Sequence, residues 1–196
     1  MLCIVRHGES EWNVIKRLQG QKDIPLSKKG IQQAKKLATH FIDQNIHFEY
    51  VFTSDLKRAN QTAQWLTEAM PISGIKTETA LRERYYGELE GRLITDIVDT
   101  LPDFQINFGV PMRYGMESLE DMQERMVTAI TNIAKMTEGA PTLIVSHGGA
   151  INAFLHRITN GEIGTGKGKL ANTSITQLRW LDDSFEVEAY NHTPHL

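Results

Sequence analysis

An α/β fold with a mostly parallel central sheet is what the sequence predicts, on three observations. Apolar runs that read as buried strands alternate with segments whose apolar residues recur at helical spacing, twice in the first seventy residues and again beyond residue 118. Two of the runs, Leu2-Cys3-Ile4-Val5 and Thr142-Leu143-Ile144-Val145-Ser146, stop at a His-Gly pair, His7-Gly8 and His147-Gly148. Two further strand-like stretches near the end, joined by Asp182-Asp183-Ser184, read as a hairpin at a sheet edge.

Each element has its own signal. After the first run, Ser27 is placed to cap a helix whose Ile31, Ala34, Leu37, Ala38, Phe41 and Ile42 form one stripe. Tyr50 to Ser54 reads as a short buried strand, followed by a helix carrying Leu56, Ala59, Ala63, Leu66 and Ala69 that Pro71 ends. A short strand fits Ile75 to Thr77. The stretch from Leu81 to Gly91 is too charged for a core strand, residues 92 to 101 read as a short helix, and Pro102 to Gly115 is irregular. Residues 88–116, with Phe104, Phe108, Arg113 and Tyr114, are therefore expected to form a cap inserted over the site. Ser118 caps a long helix with Leu119, Met122, Met126, Ala129, Ile130 and Ile133 on one face. The strand at 142–146 leads into a helix through Ile151, Phe154, Leu155 and Ile158, and strands at Ser174 to Leu181 and Phe185 to Tyr190 complete the chain. No linker, repeat or low-complexity segment interrupts it, so one domain over residues 1–196 is expected.

Composition narrows the function classes. A chain of 196 residues supports one sizeable core. Its formal net charge of -3 provides no general attraction to nucleic acid or an anionic membrane, so neither is an expected partner and any anion binding must be local. The single cysteine excludes an internal disulfide framework and a multi-cysteine metal site. A cysteine phosphatase loop needs Arg six positions after its Cys; six after Cys3 stands Glu9, and Cys3 reads as a small buried residue. With no apolar leader and no apolar run of roughly 18 residues, a cytoplasmic location is expected. Gly161 to Lys167 has the spacing of a nucleotide-binding P-loop, but Gly168 stands where Ser or Thr must follow and the segment comes after a helix; it reads as a mobile loop whose Lys167 or Lys169 is available to an anionic substrate tail. His192 and His195 read as a solvated tail and not as a metal pair.

The chemistry starts from the two His-Gly ends. Neighbouring parallel strands bring both imidazoles to one crevice, where ligands of open α/β sheets collect. Arg58, early in a helix that follows a strand, suits a tetrahedral anion through its paired donors, although taken alone it also reads as a surface or capping arginine.

Arg6-His7-Gly8-Glu9-Ser10 with Asn13, Gln19-Gly20 with Asp23, Pro25, Leu26 and Gly30, the stretch Ser54 to Ala63, Leu81-Arg82-Glu83, Gly115-Met116-Glu117-Ser118, Ser146-His147-Gly148-Gly149 and Asn172-Thr173-Ser174 resemble, in order, the motifs of the histidine phosphatase superfamily, branch 1, which includes the cofactor-dependent phosphoglycerate mutases. The resemblance implies a three-layer α/β/α sandwich of phosphoglycerate mutase-like fold. It implies a phosphohistidine at His7, a phosphate pocket of Arg6, Arg58 and His147, a proton donor at Glu83, and further phosphate or substrate contacts from Asn13, Gln19 and Gly20. Neither cofactor nor metal is expected; the expected partner is a small phosphorylated substrate, and the oligomeric state is open. Tyr85 stands where the mutases have His, and the Gln19-Gly20 loop, Gly87 to Gly91 and Asn172 to Thr176 look like the phosphatase branch. The expectation is a metal-independent phosphomonoesterase, with a cofactor-dependent phosphoglycerate mutase and a non-catalytic, phospho-ligand-binding regulatory module as the alternatives.

Overall fold

The computed structural model describes residues 1–68, 70, 72, 74–105 and 113–196, with Arg113 described by its backbone only. Among these residues, β1 (Leu2–Arg6), β2 (Tyr50–Thr53), β3 (Ile75–Thr77), β4 (Thr142–Ser146), β5 (Ile175–Leu181) and β6 (Ser184–His192) form one sheet in the order β3-β2-β4-β1-β5-β6. The first four pair in parallel, and β5 and β6 add an antiparallel edge. The helices are α1 (Glu11–Val14), α2 (Lys28–Asp43), α3 (Lys57–Thr67), α4 (Ile94–Thr100), α5 (Leu119–Met136) and α6 (Gly148–Ile158).

Alternation along the strands sorts the core into two layers. Cys3, Val5, Val51, Leu143 and Val145 pack with Leu37, Phe41, Ala59, Ala63 and Leu66 of α2 and α3. Leu2, Ile4, Phe52 and Ile144 face the other way, onto Met122, Met126 and Ile130 of α5 and Ile151 and Phe154 of α6. The sheet is thus covered on both faces, the three-layer α/β/α arrangement. A smaller cluster of Leu18, Tyr86, Leu89, Ile97, Phe104 and Met116 gives the described residues between 86 and 116 apolar packing of their own. Phe104 of the expected cap is buried there, whereas Phe108 lies outside the described residues.

Helix boundaries follow the local chemistry. Ser27 accepts from Gly30 N at 3.0 Å and Ser118 from Asp121 N at 2.9 Å, so both expected caps form. α3 starts differently: Lys57 N donates to Asp23 Oδ1 at 2.6 Å, a cap lent by a distant loop. Ala69 and Pro71 lie outside the described residues. α4 is shorter than 92–101 because Arg92 and Leu93 are engaged with the 16–18 loop, Leu18 N donating to Arg92 O at 2.9 Å and Ile94 N to Lys16 O at 2.9 Å. The short α1 has no apolar stripe to announce it; a reciprocal Ser10/Asn13 capping box holds it. Asp182 and Asp183, both at positive φ, make the two-residue hairpin turn. β6 reaches His192, beyond Tyr190, because register shifts near Gln177 let it follow β5 back to Ile175. Of the expected solvated tail, His192 is exposed, whereas His195 departs from it: its Nε2 lies 2.9 Å from Thr173 Oγ1, and burial, with His40, Lys36 and His192 nearby, pulls its imidazole down to about 4.

β1 and β4 are adjacent and in register, Arg6 opposite Ser146, so the two histidines leave the sheet at the same level. Gly8 and Gly30 let the first turn meet the start of α2 backbone to backbone: a Cβ on Gly8 would stand 2.6 Å from Gly30 O.

Candidate active site

The carboxyl ends of β1 and β4 open into a cavity of about 270 Å³. Arg6, His7, Asn13, Gln19, Gly20, Arg58 and Glu83 all line it, as do Gly148 and Gly149. His147 is not part of the lining surface; it is completely buried, with its ring centroid 5.1 Å from that of His7.

His7 is held on every side. Its N–H donates to Ser146 O at 3.0 Å, and its carbonyl accepts from Asn172 Nδ2 at 3.0 Å. Gly8 N donates to Thr62 Oγ1 at 3.0 Å, pinning the turn to α3. The ring Nδ1 is 2.6 Å from Gly8 O, and because a carbonyl only accepts, Nδ1 carries the proton and Nε2 keeps its lone pair. Burial, then the charges of Arg58 and Arg6, hold the imidazole well below its usual pKa, so it is neutral at pH 7. Burial and the charge of Arg58 do the same to His147.

Arg58 is 1% exposed, which settles its placement in the cavity wall against a surface one. Its guanidinium donates to Lys22 O at 2.8 Å and Gly20 O at 2.7 Å, so the Gln19-Gly20 loop orients it. Burial pulls it down to about 10, still charged at neutral pH. Arg6 donates through Nη1 to Leu170 O. Arg6 Nε, Arg58 Nε and both ring nitrogens of His147 are buried without a hydrogen-bond partner in the protein. Buried polar groups normally find partners, and three unmet donors, the two guanidinium Nε–H groups and the one N–H of the neutral His147, have the chemistry to bind a tetrahedral anion.

Glu83 sits at the N-terminus of α6. Its Oε2 accepts from Gly149 N at 3.0 Å and its Oε1 from Arg84 N at 2.9 Å. Gly149 permits the approach, since a Cβ there would stand 2.5 Å from Glu83 Oε1. The two flanking arginines are committed elsewhere. Arg82 forms a forked pair with Asp55, at 2.7 and 2.5 Å, which holds that carboxyl below its usual range; Arg84 donates to Glu117 O and Phe104 O, both at 2.8 Å.

The wall holds residues that sequence reasoning assigned to the core or left without a role. Leu119 and Met122 sit on the buried stripe of α5 yet also line the cavity, with Tyr86, Arg17 and Asn152. Asn152, a polar break in the apolar α6, was the one detectable signal: its Nδ2 donates to Gly168 O at 2.9 Å and so ties down the glycine-rich loop. Of that loop's lysines, Lys169 lines the cavity and Lys167 does not. Cys3 is buried, which pushes its thiol up to about 12 and leaves it a poor nucleophile. Among the described residues, no group of three or more His, Cys, Asp or Glu is placed to hold a metal ion, and no helix is long and apolar enough to cross a membrane.

A model of the histidine phosphatase superfamily (branch 1) matches residues 2–193. The broad-specificity phosphatase of Saccharomyces cerevisiae is 35% identical over 204 residues, covering all of this chain and 86% of that protein. A protein of Serratia proteamaculans named probable phosphoglycerate mutase GpmB is 34% identical, over 98% of this chain and 93% of its own length. Among solved structures, a phosphoserine phosphatase variant from Entamoeba histolytica in complex with phosphoserine superposes with a TM-score of 0.86 at 25% identity, covering all of this chain and 98% of that one.

Proposed function

The chain belongs to branch 1 of the histidine phosphatase superfamily, and on that premise we propose that it hydrolyses phosphomonoesters of small metabolites through a phosphohistidine at His7. The observation that carries this reading is the state of His7: buried, neutral, and fixed by the Nδ1–H bond to Gly8 O so that Nε2 is the free nucleophile. Nε2 attacks phosphorus, the bond to the ester oxygen breaks, and the Glu83 carboxyl gives that oxygen its proton, releasing an alcohol. Water then attacks the phosphohistidine and returns a proton to Glu83. The N–P bond breaks, and inorganic phosphate leaves with His7 restored. Arg6, Arg58 and an N–H of His147 stabilise charge on the equatorial oxygens, with Asn13, Gln19 and Gly20 lining the same wall. No step in this scheme calls on a metal.

The test is direct. Incubated with p-nitrophenyl phosphate in EDTA, the enzyme is expected to release phosphate, and acid-labile phosphate is expected on His7 when turnover is quenched by rapid denaturation above neutral pH. Normal turnover by His7→Ala would remove the covalent mechanism. Silence with p-nitrophenyl phosphate, together with interconversion of 2- and 3-phosphoglycerate primed by bisphosphoglycerate, would instead make the protein a mutase. Inactivity in both assays would make it a binding module. The phosphatase reading is supported by the sequence difference at Tyr85, which stands where the mutases have His; the residue itself is 46% exposed and takes no part in lining the cavity.

A further inference from the structure

We propose that Arg125 and Glu117 are positioning residues for proton transfer, an ion pair that sets the backbone carrying Glu83; the proposal rests on the reading of Glu83 as the proton donor. Arg125, on α5, uses all five of its N–H groups. Nη1 donates to Ala80 O at 2.7 Å and Arg82 O at 2.8 Å, and Nη2 to the carbonyl of Glu83 itself at 3.1 Å. Nε and the second N–H of Nη2 take both oxygens of Glu117, at 2.5 and 2.8 Å. One guanidinium therefore fastens three carbonyls within four consecutive residues to the rigid helix α5.

Glu117 completes the splint from the other side. Its Oε2 accepts from Tyr85 N at 3.2 Å, its N–H donates to Tyr85 O at 2.8 Å, and its carbonyl accepts from Arg84 Nε at 2.8 Å. Residues 80–85 are thus held on both sides of Glu83, while the carboxylate is held by Arg84 N and Gly149 N. Rotation of the peptides about residue 83 would break the first of those bonds and carry the carboxyl off the α6 N-terminus. The pair is also shielded, with 21% and 16% of its side-chain surface exposed, against 68% for the lysine of the Lys29–Glu9 pair. A lysine cannot reproduce the pattern, because a single ammonium lacks the planar fork that reaches the carbonyls and the carboxylate together.

The experiment is kcat/KM across aryl phosphates graded in leaving-group basicity, for wild type, E83Q, R125K, E117Q and the E83Q/R125K double variant, with thermal unfolding of each. R125K is expected to lose about 10²-fold on phenyl phosphate, the scale of a small misplacement of a catalytic group, and only a few-fold on p-nitrophenyl phosphate, whose leaving group needs no proton. The same steepening is expected in E83Q, with little further loss in the double variant. Uniform loss across the series, or none, in R125K while E83Q steepens would overturn the positioning role and spare Glu83. Absence of steepening in E83Q would overturn the reading of Glu83 and the proposal with it. Should R125K not fold, E117Q carries the test: it keeps the guanidinium on its carbonyls, and about 10-fold loss, confined to the basic leaving groups, is expected.

Discussion

At the end of β1 the chain leaves the sheet through Arg6-His7-Gly8, and at the end of the adjacent β4 it leaves through Ser146-His147-Gly148. Both histidines are buried, both are held neutral, and their rings are 5.1 Å apart. The turns differ in what they do with the imidazole. After β1 the chain folds back so that Gly8 O meets Nδ1, which fixes the tautomer and frees Nε2. After β4 the chain runs straight into α6 with His147 as its N-cap residue, and neither ring nitrogen finds a protein partner. On the proposed mechanism the difference has a use: the imidazole proposed as nucleophile has one nitrogen committed in advance, and the one proposed to bind the ligand keeps its hydrogen bonding for it. The same strand-His-Gly pattern yields two environments because one turn closes on its own carbonyl and the other is drawn out by a helix.

The sharpest way to break this comparison is to replace each histidine by asparagine. His7→Asn is expected to lose on the order of 10⁶-fold in turnover, as when other covalent enzymes lose their nucleophile, and to carry no acid-labile phosphate. His147→Asn is expected to lose about 10²- to 10³-fold, the scale of one missing charge-stabilising donor, yet still to form the phosphohistidine under rapid quench. A folded His147→Asn enzyme that never acquires the label would mean that the second imidazole takes part in forming the intermediate, and the division of roles would fail.

Much of the fold and of this site is legible in the sequence. Strand ends, helix stripes and the Ser27 and Ser118 caps are local signals; the two strand ends bring His7 and His147 together, and the resemblance of the ordered motifs points to Arg6, Arg58 and Glu83, which line the cavity beside His7 while His147 is buried outside its lining. Side-chain commitments were not legible. Arg82 and Arg84 look alike on either side of Glu83, yet one pairs with Asp55 and the other with carbonyls of the 104–117 region, because an arginine's partner is chosen by tertiary packing. Arg125 gave no local signal at all, since its five bonds span residues 80 to 117. Asp23 capping α3 and His195 reaching Thr173 were invisible for the same reason.

The two turns also differ in what anchors them. The β1 turn depends on a side chain from another element: Gly8 N donates to Thr62 Oγ1, while that hydroxyl donates to Arg58 O at 2.6 Å. The β4 turn has the first backbone bond of α6, Ile151 N to His147 O at 2.9 Å, in addition to the side-chain contact of Gly149 N with Glu83 Oε2 at 3.0 Å. Thr62→Val keeps the shape and removes the acceptor, leaving a buried N–H unpaired. It is expected to cost about 1–3 kcal/mol in denaturant unfolding. No change would mean that the β1 turn is held by its strand contacts alone.

The smallest expected effect concerns the property the two histidines share. Burial and positive neighbours lower both imidazoles in the folded protein, whereas in the unfolded chain each takes a proton as the pH falls below about 6.5. Stability from this source is therefore complete above about pH 6.5 and declines as the pH falls, until the folded histidines protonate in their turn, with a slope approaching about 1.4 kcal/mol per pH unit for each. His195 adds the same sign between about pH 6.5 and its own value of about 4. Unfolding measured from about pH 7 to about pH 5, without phosphate, checks it: His147→Asn and His7→Asn should each flatten the slope by one proton. Two residues separated by orders of magnitude in catalysis would then share the sign of their linkage, since burial and then the charge of Arg58 dominate the protonation cost of both, while the bond to Gly8 O raises His7 only as the smallest of its causes.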